Sequence, residues 1–106
     1  MKPIVVVAAV TLKEPIDKSV LEALKALHHA THHEDEGCVQ YDLHIDPSHV
    51  NTYVFVETWQ SEALLDAHMQ KAHFKAFQEA LNGKVEHMSV QKLEKILWET
   101  LWKTKP

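Results

Sequence analysis

The chain has 106 residues, of which 45% are hydrophobic and 25% charged, and this size and composition indicate one globular domain. Its formal net charge of −4 and its lack of a basic run exclude nucleic acid and an anionic membrane surface as main partners. The single cysteine, Cys38, excludes an intrachain disulfide and fits a reducing compartment, so we expect a cytoplasmic protein.

The first part of the chain predicts a strand followed by a helix. Residues 4–12 are rich in β-branched residues and predict a central strand buried on both faces, since the apolar run is too short to span a bilayer. Residues 17–34 predict a helix that Asp17 can cap. Its apolar stripe has helical spacing and consists of Val20, Leu24, Leu27 and Thr31. Gly37 suits the tight turn that follows.

Two alternating segments joined by a short polar turn predict an antiparallel hairpin. In residues 38–46, one face of the predicted strand carries Val39, Tyr41, Leu43 and Ile45. In residues 52–59, one face carries Tyr53, Phe55, Glu57 and Trp59. Such half-apolar strands are typical of a sheet with one face against a core.

The last part of the chain predicts a helix, a strand and a helical tail. The helix covers residues 61–82, with Ser61 as its cap, a bend near residues 70–72 and a stop at Asn82 and Gly83. A strand over 85–96 follows. The tail has apolar residues at amphipathic helical spacing, namely Leu97, Trp98, Leu101 and Trp102.

The element order β-α-β-β-α-β predicts an α+β ferredoxin-like fold, with both helices on one face of a four-stranded antiparallel sheet. The first strand is apolar on both faces, so the other sheet face also needs a cover. A second copy of the sheet would provide it, and we therefore expect a homodimer.

Several of the nine histidines have spacings that bear on metal binding. His68 and His73 are five residues apart, which turns their side chains away from each other unless the helix breaks, so we predict no metal there. The pairs His28/His32 and His29/His33 are spaced i, i+4 and could chelate zinc, nickel or copper, with Glu36 as a candidate third ligand. A solvated polar helix face is the simpler interpretation.

The segments "DEGCVQYDLHID" and "YVFVETWQSEALLDAHMQKAHFKAF" resemble the antibiotic biosynthesis monooxygenase family, including its quinol monooxygenase type. The family pattern is acidic-x-Gly-Cys-x-x-Tyr, then Glu-x-Trp, then Ala-Leu-x-x-His and His-Phe. The corresponding residues here are Glu36, Gly37, Cys38, Tyr41, Glu57, Trp59, Ala63, Leu64, His68, His73 and Phe74. The resemblance covers residues 4 to about 95. It implies a dimeric α+β barrel domain over residues 1–96, followed by an extra tail over 97–106.

The resemblance implies a cofactor-independent monooxygenase that oxidises a quinol or another hydroxylated aromatic compound with dioxygen. The haem-degrading branch of the family fits poorly. That branch has an asparagine on the first strand, where this chain has apolar residues and Thr11. It also ligates iron through a histidine about one turn beyond His73, where this chain has Phe77 and Gln78.

Within that hypothesis, each candidate residue has a chemical role. His68 is the predicted general base, because an imidazole titrates near neutral pH. Glu57 is expected to fix the tautomer of a nearby imidazole, and Trp59 to stack on the substrate ring. The predicted pocket lining consists of Tyr53, His73, Phe74, Phe77, Met88 and His28. Plain packing is the alternative for each of them.

Two other functions fit the same sequence. One is a non-catalytic dimer that binds a small molecule or a metal through its histidines, and the other is an isomerase of a small oxygenated metabolite. Cys38 is expected to be a small buried hydrophobic residue, because nearby acids would raise the pKa of its thiol.

Overall fold

The computed structural model describes residues 2–103, apart from the side chains of Trp98 and Thr100, so residues 1 and 104–106 of the predicted domain and tail lie outside it. Within this range the elements are β1 Ile4–Leu12, α1 Lys18–Glu34, β2 Cys38–Ile45, β3 Thr52–Trp59, α2 Glu62–Met69, α3 Ala72–Ala80, β4 Val85–Leu93 and α4 Trp98–Lys103. No helix in the described part is both long and apolar enough to cross a membrane.

The strands form one antiparallel sheet in the order β2-β3-β1-β4. β1 is central, and its Val7 pairs with Val56 of β3 and Gln91 of β4. This topology confirms the ferredoxin-like α+β fold predicted from the element order. β4 ends at Leu93 instead of the predicted residue 96, because Leu93 already pairs with Val5 near the start of β1.

The helices cover one face of the sheet, and the core lies between the two layers. Asp17 caps α1 by accepting a hydrogen bond of 2.8 Å from the Val20 backbone N–H. The predicted stripe of α1 is buried and comprises Val20, Leu24, Leu27 and Thr31. The other core residues include Val6 and Val10 of β1, Phe55 of β3 and Phe77 of α3.

The prediction of which β2 side chains face the core is correct only in the middle of the strand. Tyr41 is buried, but Val39 is 63% exposed and Ile45 is 71% exposed. The pairing of β2 with β3 shifts register between Cys38 and Gln40, so Val39 lies in an irregularity of the ladder. Ile45 is the last residue of β2, which is an edge strand, and the helices do not cover this end of it.

A break after Met69 divides the predicted helix over 61–82 into α2 and α3, close to the bend expected near residues 70–72. Ser61 caps α2, and its hydroxyl oxygen accepts from the Leu64 backbone N–H at 3.3 Å. At the break, the N–H groups of Gln70 and Lys71 bond to carbonyls three residues back, as at a tightened helix end. The break determines the direction of the residues that follow it.

The turn after α1 lies against α2. Gly37 has a positive φ of +80°, and a Cβ at this position would overlap the side chain of Leu64. The Gly37 carbonyl also accepts a hydrogen bond of 2.9 Å from the Gln60 N–H. A glycine here therefore lets the end of α1 approach α2 closely, which brings Asp35 within reach of that helix.

Candidate active site

An apolar cavity of about 110 Å³ lies between the sheet and the helices. Four polar side chains line it, each from a different strand or helix: Tyr41, Glu57, His68 and Lys92. The apolar lining is Val6, Ala8, Val10, Leu27, Phe55, Leu65, Met69, Phe74, Phe77, Met88 and Val90. A few polar groups in an apolar hollow are typical of a site for a small organic molecule.

His68 is the polar residue with a free ring nitrogen at this cavity. The residue is 1% exposed, and its Nδ1 is hydrogen-bonded directly to Asp35 Oδ2. A carboxylate only accepts, so Nδ1 carries the hydrogen and Nε2 carries the lone pair. Nε2 is buried and has no hydrogen-bond partner among the described residues. An unpaired nitrogen of this kind can accept a proton from a bound molecule.

Asp35 links α1 to both of the later helices. It is the C-cap residue of α1, and its side chain is 1% exposed. Its other oxygen, Oδ1, lies 2.9 Å from His73 Nε2, although these two atoms are not aligned as a hydrogen bond. His73 is at the start of α3, and its side chain is 14% exposed. One carboxylate therefore lies between two imidazoles on either side of the helix break.

Burial dominates the electrostatics of the cavity. It lowers the pKa of His68, and the hydrogen bond to Asp35 opposes that shift. It raises the pKa of Glu57, although the hydrogen bond from Trp59 acts the other way. It also raises the pKa of Tyr41, with the Glu57 carboxylate adding to the effect. The dry surroundings favour the neutral form of each group.

The expected roles of Glu57 and Trp59 need correction. Glu57 does not orient an imidazole, since its Oε1 accepts a hydrogen bond of 2.8 Å from the Trp59 indole N–H, and Asp35 is the partner of His68. Trp59 is 0% exposed and does not line the cavity. Its ring centre lies 4.6 Å from that of His68. Trp59 therefore supports His68 from within the core and is not placed to stack on a ligand.

The remaining predicted pocket residues divide into two groups. Phe74, Phe77 and Met88 line the cavity. Tyr53 and His28 line a separate open groove between α1 and the hairpin, whose other side chains include Leu24, Leu43 and Ile45. His73 contacts Asp35 and does not line the cavity. α1 contributes Leu27 to the cavity and a different set of side chains, including His28, to the groove.

The cluster of Asp35, His68 and His73 also has a metal-binding composition. One ligand-type atom from each residue lies within 4.8 Å of the others. The spacing argument against His68 and His73 fails here, because the helix breaks between them. However, a zinc ion about 2 Å from each ligand atom would have to separate His68 Nδ1 from Asp35 Oδ2. The cluster therefore fits a hydrogen-bonded group and would need rearrangement to hold a metal.

The histidines of α1 are paired as their spacing predicts. The ring centres of His28 and His32 are 4.4 Å apart, and those of His29 and His33 are 4.1 Å apart. His32 Nε2 lies 2.7 Å from the Tyr41 carbonyl and donates to it. In the described part of the chain, no third His, Cys, Asp or Glu completes a ligand group with these pairs.

Asp35 is the main residue that the sequence prediction of the site missed. A usable signal was present, because the acidic-x-Gly-Cys pattern places its acidic position two residues before Gly37, at Asp35 and not at Glu36, the residue assigned to it above. The neighbouring Cys38 is only partly buried, although the sequence predicted a buried residue. Its burial, helped by the Asp35 carboxylate, raises its pKa to about 11.

Comparisons with known proteins identify a family that this chain matches. The family model for antibiotic biosynthesis monooxygenase matches residues 3–80. The uncharacterized protein sll1783 of Synechocystis sp. is 32% identical over 77 residues, which are 73% of this chain and 52% of that protein. The probable quinol monooxygenase YgiN of Escherichia coli K12 is 33% identical over 69 residues, which are 58% of this chain and 66% of YgiN. The chain thus spans about half to two thirds of these relatives.

A solved structure extends the agreement to the whole fold. The crystal structure of an antibiotic biosynthesis monooxygenase superposes with a TM-score of 0.80 at 25% sequence identity. The superposition covers 89% of this chain and 99% of the other. The sheet order and the placement of the helices are therefore those of a known group of structures.

Proposed function

The chain belongs to the antibiotic biosynthesis monooxygenase family, and from this premise we propose that it oxidises a quinol or another hydroxylated aromatic compound with dioxygen. The reaction uses no metal or organic cofactor. The observation that carries the proposal is the free Nε2 of His68, buried at an apolar cavity, while Asp35 holds the opposite nitrogen of the ring.

The first step is proton transfer to His68. Nε2 takes the proton of a substrate hydroxyl, which leaves an electron-rich phenolate. The ring becomes an imidazolium, and its Nδ1–H still points at the Asp35 carboxylate. A buried cation with an adjacent carboxylate is far less costly than an isolated one. Asp35 is therefore a positioning residue that fixes the tautomer and supports the charge.

Oxygen transfer then completes the reaction. The phenolate gives an electron to dioxygen, and the two radicals combine to form a carbon–oxygen bond at a ring C–H. In the resulting peroxide anion, the O–O bond breaks as the C–H proton leaves for the departing oxygen, which yields a carbonyl and, with a second proton from His68, one water molecule. The apolar lining, including Phe74 and Phe77, keeps bulk water from these intermediates.

Oxygen consumption with a panel of quinols tests the proposed function. We expect one dioxygen consumed per substrate, with one atom of labelled dioxygen in the product and the other in water. The rate should exceed spontaneous oxidation and should survive dialysis against EDTA. Loss of activity on dialysis with recovery on adding a divalent metal would contradict cofactor independence, and no consumption with any quinol would contradict the function.

We also propose that a second copy covers the open face of the sheet. The side chains on this face alternate with the core residues of β1 and β3 and are only half-buried in a single chain. They are Val5, Val7, Ala9, Val54 and Val56. An apolar centre of this kind on an uncovered sheet is typical of an interface. Light scattering should give the mass of two chains, and the mass of one chain would contradict the proposal.

A further inference from the structure

The volume of the cavity limits which aromatic compounds can enter it. We propose that the site accepts compounds with a single hydroxylated ring and discriminates against fused polycyclic ones. This inference rests on the proposed function for its chemistry, and on the volume and lining of the cavity for its size limit. Apolar cavities of about 150 Å³ hold benzene, and the cavity beside His68 has about 110 Å³. The cavity therefore has no room for a second ring.

The walls are aromatic rings that contact one another. Phe55 lies against Phe77 with ring centres 5.8 Å apart and against Tyr41 at 5.9 Å, both with strongly inclined planes. His68 lies against Phe74 at 5.1 Å in an edge-on arrangement. Interlocked rings of this kind cannot move singly, because each movement opens a gap elsewhere in a close-packed core. The size limit is therefore a property of the packed layer.

The cavity reaches the surface along β4. Met88 and Val90 line the cavity and are 48% and 56% exposed. Lys92 follows on the same face, and its ammonium group lies 3.0 Å from Glu62 of α2. A narrow substituent on the buried ring has an exit between these apolar side chains. A second ring fused to the first needs width at the level of Phe74 and Phe77.

Binding of two monohydric compounds separates ring size from oxidation. Phenol and 2-naphthol would be titrated calorimetrically, without oxygen, into the full-length protein. Because 2-naphthol is the more hydrophobic compound, a spacious pocket would bind it more tightly. We expect the reverse order in the wild type, with 2-naphthol weaker by about tenfold or more, as for a ligand too large for an apolar pocket. Equal or tighter binding of 2-naphthol would overturn the inference.

Variants that enlarge the cavity provide a second test of the size limit. Phe77→Ala should raise the affinity for 2-naphthol by about tenfold, and Met69→Ala offers the same test at a less buried position should Phe77→Ala fail to fold. Leu43→Ala is the matched control, because Leu43 lines the separate groove. The size limit would be contradicted if neither cavity variant bound 2-naphthol more tightly than the wild type, or if Leu43→Ala gained as much affinity as they did.

Turnover distinguishes this inference from the proposed function. If phenol is preferred but no quinol consumes dioxygen, the monooxygenase proposal fails while the size limit stands. If benzene-1,4-diol and naphthalene-1,4-diol are oxidised equally well, the size limit fails while the monooxygenase proposal stands.

Discussion

Replacement of His68 by glutamine is expected to lower kcat/KM for quinol oxidation by a factor of about 10²–10⁴, the usual contribution of a general base. Glutamine keeps a polar side chain near Asp35 but has no group that takes a proton near neutral pH. His68 Nε2 lies unpaired at the cavity, so its removal is expected to eliminate the proposed proton transfer. Oxygen uptake under saturating dioxygen measures the loss.

The dependence of kcat/KM on pH tests whether His68 acts as a base. A base works in its neutral form, so kcat/KM is constant above its pKa and falls as pH falls through it. Burial lowers the pKa of His68 from 6.5, which extends the wild-type plateau below the usual range of histidine. The other titratable groups around it are Asp35, His73, Glu57, Tyr41 and Lys92. The acidic limb should disappear in His68→Gln.

An exposed histidine provides the control for this experiment. His29→Gln changes the same residue type on the outer face of α1, away from the cavity. We expect it to keep both the rate and the acidic limb. A His68→Gln protein with wild-type kcat/KM, or with an unchanged limb, would remove His68 from the mechanism.

Replacement of Asp35 by alanine is expected to reduce the free energy of unfolding by about 3 kcal/mol, at the upper end of the value for a hydrogen bond to a charged group. The loss is large because His68 Nδ1–H is buried and would have no other acceptor in the described structure. His73 would lose its neighbouring carboxylate as well. Urea denaturation at a fixed protein concentration measures the change.

A surface pair of the same kind serves as the matched control. Asp46 accepts from His49 Nδ1 at 2.8 Å, but the His49 side chain is 72% exposed. Asp46→Ala therefore leaves His49 free to bond with water, and we expect a much smaller loss of stability. Asp35→Ala should also lower kcat, since the His68 tautomer is no longer fixed. Equal losses of unfolding free energy in the two variants would contradict the prediction that the buried contact stabilises the protein more than the exposed one.

The roles of individual residues were harder to predict than the elements that carry them. Trp59 and Glu57 share a face of β3 with Phe55, as the alternation predicts, but the alternation does not distinguish core from cavity lining. The distinction depends on where the side chains of α2 and α3 lie over the strand. For this reason the alternation does not show that Trp59 lies in the core, beside a cavity that Phe74, Phe77 and Met88 line.

The sequence alone determined the element order and the ferredoxin-like topology, because hydrophobic periodicity, caps and turn residues are local properties of the chain. The tertiary structure decided that His68 meets Asp35, which is 33 residues away, and that the break after Met69 turns His73 towards the same carboxylate. Contacts of this kind depend on how separate helices pack on the sheet, and no local pattern encodes that packing.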